Sequence, residues 1–374
     1  MSDLHTLPNH GLGWLDASGE HAGVVLSTRI RLARNLQGHA FGPRARVNDR
    51  EAVLKQIRRA KTQVELLSGS ILLELPDLDS RSRGMLLERR LASRELLGDV
   101  KVGPSRATAV LLAAQDPLSV MVNEEDHLRL QGLVSGLRLK EAWNLVDRLD
   151  EELGQELPFA YHHEFGFLTS CPTNVGSGLR ASVLVHLPGL VLTKEIGKVL
   201  QGLGQVGLTF RGLYGEGSEV VGNFFQLSNQ TTLGKREEEL IEHLDKIVRQ
   251  VIQYEERARQ VLLRDAPQVT SDKIWRAYGL LRYARSLSFE ELMNLLSGIR
   301  LGVGLKLLPD LRVYTLNKLM IFTQAAHLAE AAGRDLPPAE CDAHRAAYVR
   351  RILTTEGPIG PGDENEENDT PAEG

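Results

Sequence analysis

Five arginines stand where β-prone runs meet loops: Arg29 and Arg31 in "STRIR", Arg129 after "NEEDHL", Arg180 after "CPTNVGSG", and Arg211 in "FRGLYGEG". A guanidinium is planar, stays charged at working pH and grips phosphate oxygens two at a time, so several from separate segments could form one polyphosphate cradle. Solvated surface arginines are the ordinary alternative. The glycines around Arg180 and Arg211, with Gly176 and Gly178 in the loop, favour the cradle, because glycine lets backbone N–H groups come close to a bound substrate. The GxxxxGK[ST] pattern of a P-loop is absent.

Carboxylates complete the chemistry. "NEEDH" (123–127) sets three of them directly after the apolar "SVMV", and Glu216 sits among glycines in "YGEGSE" beside Arg211. An acidic turn at a strand end would look the same. If both loops face one cleft, two carboxylates would clamp a cationic planar group and aim it at a phosphate held by arginines. A guanidinium, with a pKa above about 12, must lose a proton before its nitrogen attacks, and a positioned carboxylate is the natural acceptor. The pattern points to phosphoryl transfer onto a guanidino nitrogen.

Two other motifs carry less. "GLGQVG" (202–207) matches G-x-G-x-x-G, but a helical run precedes it and a β-prone run follows, so it reads as a helix end and turn. His162 and His163 in "YHHEF" lack metal-ligand spacing and read as solvated or locally bonded, so no structural metal is expected.

These residues need a scaffold. The run 23–35 reads as a short strand entering an arginine-rich turn. Apolar spacing from Val53 to Leu67 predicts a helix, "TAVLLAA" and "LSVMV" two strands, and Lys140 to Leu153 a long helix. "LRASVLVHLP" predicts a strand, "TKEIGKVLQGLG" a short helix, and "VGLTFRGLYGEGSEVVGNFFQLSNQ" a hairpin. Strands and helices mix without a regular βαβ rhythm, which predicts an α+β fold on a largely antiparallel sheet. After Leu233 the pattern turns helical, with a boundary near Asp265 to Pro267, a capping box at Ser288 and Glu291, and a last helix over "AECDAHRAAYVRRIL". The expected organisation is a polar lead (1–22), a catalytic domain (23–265), a helical domain for dimerisation or regulation (266–356) and a disordered acidic tail (357–374).

The totals fit an ordinary soluble protein: 374 residues, 42% apolar and 25% charged. A net charge of −5 gives no bulk attraction to nucleic acid or to an anionic membrane, so neither is an expected partner. No apolar run reaches the roughly 18 residues of a membrane span and the start lacks a signal peptide's apolar core, so the cytoplasm is expected. Cys171 and Cys341 cannot make a disulfide framework; if either matters it acts singly.

"STRIRLARN", "VNEEDHLRLQ", "CPTNVGSGLRASV" and "RGLYGEGSE", in this order, resemble the ATP:guanido phosphotransferase superfamily and, within it, the bacterial protein-arginine kinases. The superfamily's free-phosphagen kinases carry a helical domain of about a hundred residues before the "STR" motif. Here that motif begins at Ser27 and a helical domain follows the catalytic one, as in the protein-arginine kinases. The resemblance implies a phosphagen-kinase-like catalytic domain, its antiparallel sheet flanked by helices, plus a C-terminal all-helical domain. ATP and Mg²⁺ are implied as cofactors, the metal held mainly by ATP. Nucleotide contacts are implied at Ser27, Thr28, Arg29, Ile30 and Arg31, at Arg129, at Arg180, Ala181, Ser182, Val183 and Leu184, and at Arg211, Gly212, Leu213, Tyr214, Gly215 and Glu216. Arg90 stands where the family has a nucleotide-contacting histidine. Glu125 is implied as the catalytic base, Glu216 as its companion, Arg129, Arg180 and Arg211 as phosphate ligands, and Cys171 as a thiolate beside the guanidinium, against the alternative of a buried small hydrophobe. The family's regulatory phosphoarginine pocket falls on Cys341, Asp342, Ala343, His344, Arg345 and Ala346, with cysteine replacing the first of two arginines. Kinship further implies protein substrates marked for the ClpC–ClpP protease, a heat-shock repressor among them, a zinc-binding activator, the ClpC chaperone and a homodimer. A kinase of free guanidino compounds and an inactive phosphoarginine-binding adaptor are the competing readings.

Overall fold

The run Val25–Arg34 alternates apolar and basic side chains, and a two-residue period in a pleated strand sends them to opposite faces. In the computed structural model, which describes residues 10–98, 103–114, 117–212 and 220–357, this run is β1. The strand therefore continues through Arg34 rather than breaking into an arginine-rich turn, because antiparallel partners flank it on both sides.

The other strands are β2 (Ile71–Glu74), β3 (Ala109–Leu112), β4 (Leu118–Val122), β5 (Leu128–Ser135), β6 (Tyr161–His162), β7 (Gly166–Phe167), β8 (Leu179–His186), β9 (Leu208–Arg211) and β10 (Phe224–Asn229). Eight form one sheet in the order β2-β3-β4-β5-β1-β8-β10-β9, with every pairing antiparallel; β6 and β7 pair separately. The helices are α1 (Val47–Ala60), α2 (Ser80–Glu88), α3 (Arg94–Leu97), α4 (Leu139–Glu156), α5 (Pro188–Leu192), α6 (Ile196–Gln205), α7 (Glu237–Asp265), α8 (Pro267–Tyr283), α9 (Phe289–Gly304), α10 (Val313–Phe322), α11 (Ala325–Ala332) and α12 (Pro338–Glu356).

One face of the sheet is mainly apolar, with Thr28 and the buried Arg34–Asp150 ion pair among its polar members. Ile30, Leu32, Leu130, Ala181 and Val183 pack there against α1, α4 and α7, whose Ile57, Val146, Leu149, Leu244 and Val248 recur at helical spacing. The other face is divided. Leu133, Leu184 and Phe224 join a second core with Ile274, Leu281, Leu296, Leu319 and Val349 of the C-terminal helices. Beyond that core the same face carries the arginines. Trp14 and Leu15 are buried in the second core, so what reads as a polar lead is partly a plug between sheet and helices.

Helix α7 ends at Asp265 and α8 begins at Pro267, where proline suits a first helical turn. The segment "GLGQVG" is the end of α6 and its turn into β9. Strands β9 and β10 pair as the hairpin arms; Leu213, Tyr214, Gly215 and Glu216 between them lie outside the described residues, as does the tail from 358.

Candidate active site

Strand register gathers the arginines. Arg31 lies directly opposite Arg180 on β8 and Gln131 on β5, while Arg29 pairs with Ser182, and Ala33 with Arg129. Residues directly opposite in an antiparallel pair share a face, so Arg29, Arg31, Arg129, Arg180, Ser182 and, through β10, Gln226 and Arg211 all project to one side. All but the buried Ser182 line a cleft of about 880 Å³ together with Arg50, Arg90, Arg94, Glu95, Glu124, Glu125 and Cys171.

Arg29 and Arg90 are buried, and Arg31, Arg129, Arg180 and Arg211 are half-buried. Arg29 donates to Gln226 Oε1 at 3.0 Å, and the same oxygen accepts from Arg90 at 2.8 Å. Arg90 also donates to Ser27 Oγ at 2.9 Å and has a left-handed backbone, φ 65°. Gln131 Nε2 fixes the Arg90 carbonyl at 2.9 Å. The Nε atoms of Arg29 and Arg31 are buried without an acceptor. Burial first, then neighbouring guanidinium groups, holds Arg29 well below the usual arginine range and brings Arg31 down to about 9. Like charges pressed together out of water, with donors unfilled, form a site that a polyanion relieves.

The acidic turn is rigid. Asn123 is left-handed (φ 58°) and its Nδ2 donates to the carbonyls of Arg50 and Ala107 at 2.9 and 2.8 Å. Asp126 Oδ1 accepts from Asn35 Nδ2 and from Ser170 N, each at 2.7 Å. His127 accepts from the Leu36 N–H at 3.0 Å, and burial holds its pKa below the usual value. Between these anchors the two glutamates diverge. Glu124 is 1% exposed, pairs with Arg129 at 2.6 Å and accepts from Ser93 Oγ; Glu125 is 42% exposed, 3.3 Å from the same guanidinium. The Glu125 carbonyl accepts from Ser170 Oγ at 2.7 Å, tying the turn to the Cys171 loop. Cys171 is partly exposed in the cleft, its Sγ 3.0 Å from Thr173 Oγ1.

Several sequence expectations change. Thr28, Ile30, Ala181 and Val183 alternate to the opposite face, the last three within the apolar core, and Leu184 enters the core shared with the helices. Their side chains cannot line the cleft; Arg29, Arg31 and Arg180 do, with Ser182 on the same sheet face but buried behind them. Arg129 and Arg180 stand at the second residues of β5 and β8 and Arg211 at the end of β9, at strand mouths as expected, while Arg29 and Arg31 sit in mid-strand. Gly178 lines the cleft as expected, Gly176 does not, and both also pack tightly on the chain: a Cβ at Gly176 would lie 2.7 Å from Thr232 O, and one at Gly178 2.7 Å from Ala33 O. His162 Nδ1 accepts from the Glu164 N–H at 3.2 Å, a local bond. Arg345 is buried, donating to Thr323 O at 2.9 Å, to Leu287 O at 2.6 Å and to Asp342, with Cys341 Sγ at 3.4 Å and the thiol's pKa raised by burial. Gln131, Gln226 and Ser93 are residues that motif reading passed over, and Glu124, one of the three "NEEDH" carboxylates, has no role of its own in that reading. The alternation in "LRLQGLVS" would have placed Gln131 beside Arg31.

Cationic groups dominate the cleft, which suits the phosphates of a nucleotide that carries its own Mg²⁺. No described helix is long and apolar enough to cross a membrane.

Residues 52–258 match the family model of the ATP:guanido phosphotransferase C-terminal catalytic domain, and residues 267–367 that of the protein-arginine kinase McsB C-terminal domain. A protein-arginine kinase of Pelotomaculum thermopropionicum is 44% identical over 94% of this chain and 98% of its own length. One of Symbiobacterium thermophilum is 46% identical over 91% and 96% respectively. Among solved structures, lombricine kinase superposes with a TM-score of 0.55 at 24% identity, covering 65% of this chain and 70% of that one. The duplicated taurocyamine kinase of Schistosoma mansoni, with transition-state analogue components bound, gives 0.56 at 26% identity, covering 71% and 37%.

Proposed function

The chain belongs to the ATP:guanido phosphotransferase family and, within it, to the protein-arginine kinases, and on that footing we propose how its residues divide the work of moving the γ-phosphoryl group of ATP onto arginine side chains of proteins. Arg29, Arg31, Arg129, Arg180 and Arg211 hold the phosphates, and Arg90 closes the wall beside Arg29. The target guanidinium enters beside Glu125, whose carboxylate takes a proton from the attacking nitrogen. The N–P bond forms as the bond from the γ-phosphorus to the bridging oxygen breaks, and ADP leaves with that electron pair. Mg²⁺, arriving with ATP, adds charge neutralisation on the phosphates. Glu124, locked to Arg129, orients that guanidinium and leaves Glu125 in contact with solvent and substrate. Glu216 is the second carboxylate for the target, and Cys171 lies in the cleft beside the same guanidinium.

The supporting observation is the crowding of buried and half-buried guanidinium groups on one sheet face, with Glu125 at its edge. The regulatory segment 341–346 has a structural part in this reading, since Arg345 is spent on carbonyls within the helical region. Kinship supports a cytoplasmic enzyme whose products go to ClpC–ClpP, with a zinc-binding activator. Exposed Val269, Trp275, Leu280 and Tyr283 on α8 support a homodimer. Incubation with ATP, Mg²⁺ and either denatured protein or free arginine tests the activity. Acid-labile phosphate on protein is expected; label on free arginine alone overturns the protein-kinase assignment, and none anywhere means a binding adaptor.

A further inference from the structure

Arg90 owes its position to the C-terminal helical region. Helix α2 ends at Glu88, and two residues later the chain turns left-handed to send Arg90 into the cleft. The Glu88 carboxylate points the other way. It accepts from the backbone N–H of Ala326 at 2.8 Å and of His327 at 3.1 Å, in the first turn of α11, and from His327 Nδ1 at 2.6 Å. Arg89 Nε donates to His327 Nε2 at 3.2 Å, so the ring accepts at Nε2 and donates from Nδ1 to Glu88. The two helices pack at a glycine: a Cβ on Gly84 would lie 2.7 Å from Ala326 Cβ. A carboxylate capping a helix N-terminus while bonded to a buried imidazole is a fixed joint. Glu88, Arg89 and Arg90 are consecutive, so the joint sets where Arg90 enters the cleft.

We propose that Glu88 is a positioning residue for nucleotide: by capping α11 it holds the α2 exit, so that Arg90 meets Ser27, Gln226 and the phosphates without rearrangement. The proposal rests on the reading of the cleft as the nucleotide site. It makes a helix outside the catalytic domain part of that site's frame.

The test is a double-mutant cycle on the full chain, reading the Kd of Mg·ADP by calorimetry and the steady-state constants for ATP. Arg90→Ala is expected to weaken Mg·ADP about tenfold, as loss of a charge-assisted bond does. Glu88→Gln keeps the shape but turns an acceptor into a donor, and is expected to weaken it by about fivefold or more, raising KM for ATP while kcat at saturation stays within about twofold. In the Arg90→Ala background, Glu88→Gln is expected to add less than about twofold. Full additivity would overturn the joint while leaving the nucleotide site intact, since a merely structural loss does not depend on Arg90. No effect of Arg90→Ala would overturn the assignment of Arg90 and the joint with it. If Glu88→Gln does not fold, His327→Gln, which keeps both backbone bonds, should show a smaller effect that likewise vanishes without Arg90; an effect that persists there overturns the proposal.

Discussion

Glu125→Gln separates chemistry from binding. The substitution keeps volume and removes the proton acceptor. Arg129 loses a contact at 3.3 Å to a 42% exposed carboxylate but keeps its 2.6 Å pair with buried Glu124, so its orientation survives. A half-exposed pair of that length is worth under about 1 kcal/mol, and a freed guanidinium can only favour phosphate, so ATP affinity should stay within about threefold. Removing a general base slows turnover by at least about a hundredfold, or about 2.7 kcal/mol in the barrier. Glu124→Gln should behave oppositely: it leaves the Arg129 guanidinium without its buried partner, so nucleotide affinity and thermal stability fall together. The assay pairs acid-labile phosphate on a denatured protein with ATP binding by calorimetry. Turnover of Glu125→Gln within about tenfold of wild type, or loss of ATP affinity in step with turnover, would show the base has been placed on the wrong carboxylate.

Arg31→Gln should move stability and function in opposite directions. Arg31 is depressed to about 9 by burial and by Arg129 and Arg180, and a base so depressed is held charged at a cost in the fold. Removing that charge is expected to stabilise the nucleotide-free protein by about 1–2 kcal/mol, a rise of a few degrees in Tm, while ATP binds about tenfold more weakly; a fall in Tm would refute the repulsion argument. His186 predicts an acid limb. Burial, then Arg300 and Arg259, holds its pKa well below the ordinary 6.5, with Nε2 bonded to Ser297 Oγ at 2.8 Å. The unfolded chain then binds a proton that the native state refuses, so this contribution is intact above pH 6.5 and lost as pH falls, by about 1.4 kcal/mol per unit. In His186→Gln, denaturant titrations between pH 7 and 5 should lose that part of the slope whatever the absolute stability; an unchanged slope refutes it.

Strand periodicity was legible wherever one face is apolar, as in "LRASVLVHLP", and the capping box at Ser288 and Glu291 placed α9 correctly, Ser288 Oγ accepting from the Glu291 N–H at 3.1 Å. The arginine motifs were legible as residue types but not as directions. Ile30 and Arg31 are sent to opposite faces by the strand period alone, but which residues of other strands share the face of Arg31 only pairing register decides. Strand β5 was missed although "LRLQ" alternates as a half-buried strand does, because Gly132 and the following "LVS" break the period and the acidic turn before it drew the reading. Gln226 was invisible for a related reason: a lone glutamine has no motif, and its role comes from standing between two buried guanidinium groups.

The division of one sheet face between cleft and core explains how so costly a charge cluster is tolerated. Along β8 the same face runs from Arg180 through Ser182 to Leu184 and His186, from cleft into the second hydrophobic core. Along β10 it passes from Gln226 to Phe224, which packs with the C-terminal helices. A strand cannot yield at one residue and stay fixed at the next without breaking its ladder, so guanidinium repulsion is opposed by apolar burial a few residues away. On the opposite face Ile30, Ala181 and Val183 are fully buried beneath the charged residues. The arginines therefore cannot relax apart into water, and their positions precede the nucleotide, which spares reorganisation when the phosphoryl group moves. The C-terminal helices are thus part of what keeps the cleft charged, as well as a separate unit behind the catalytic domain. Loosening their core, for instance at Leu296 or Leu319, would be felt in the cleft as relaxed arginine spacing.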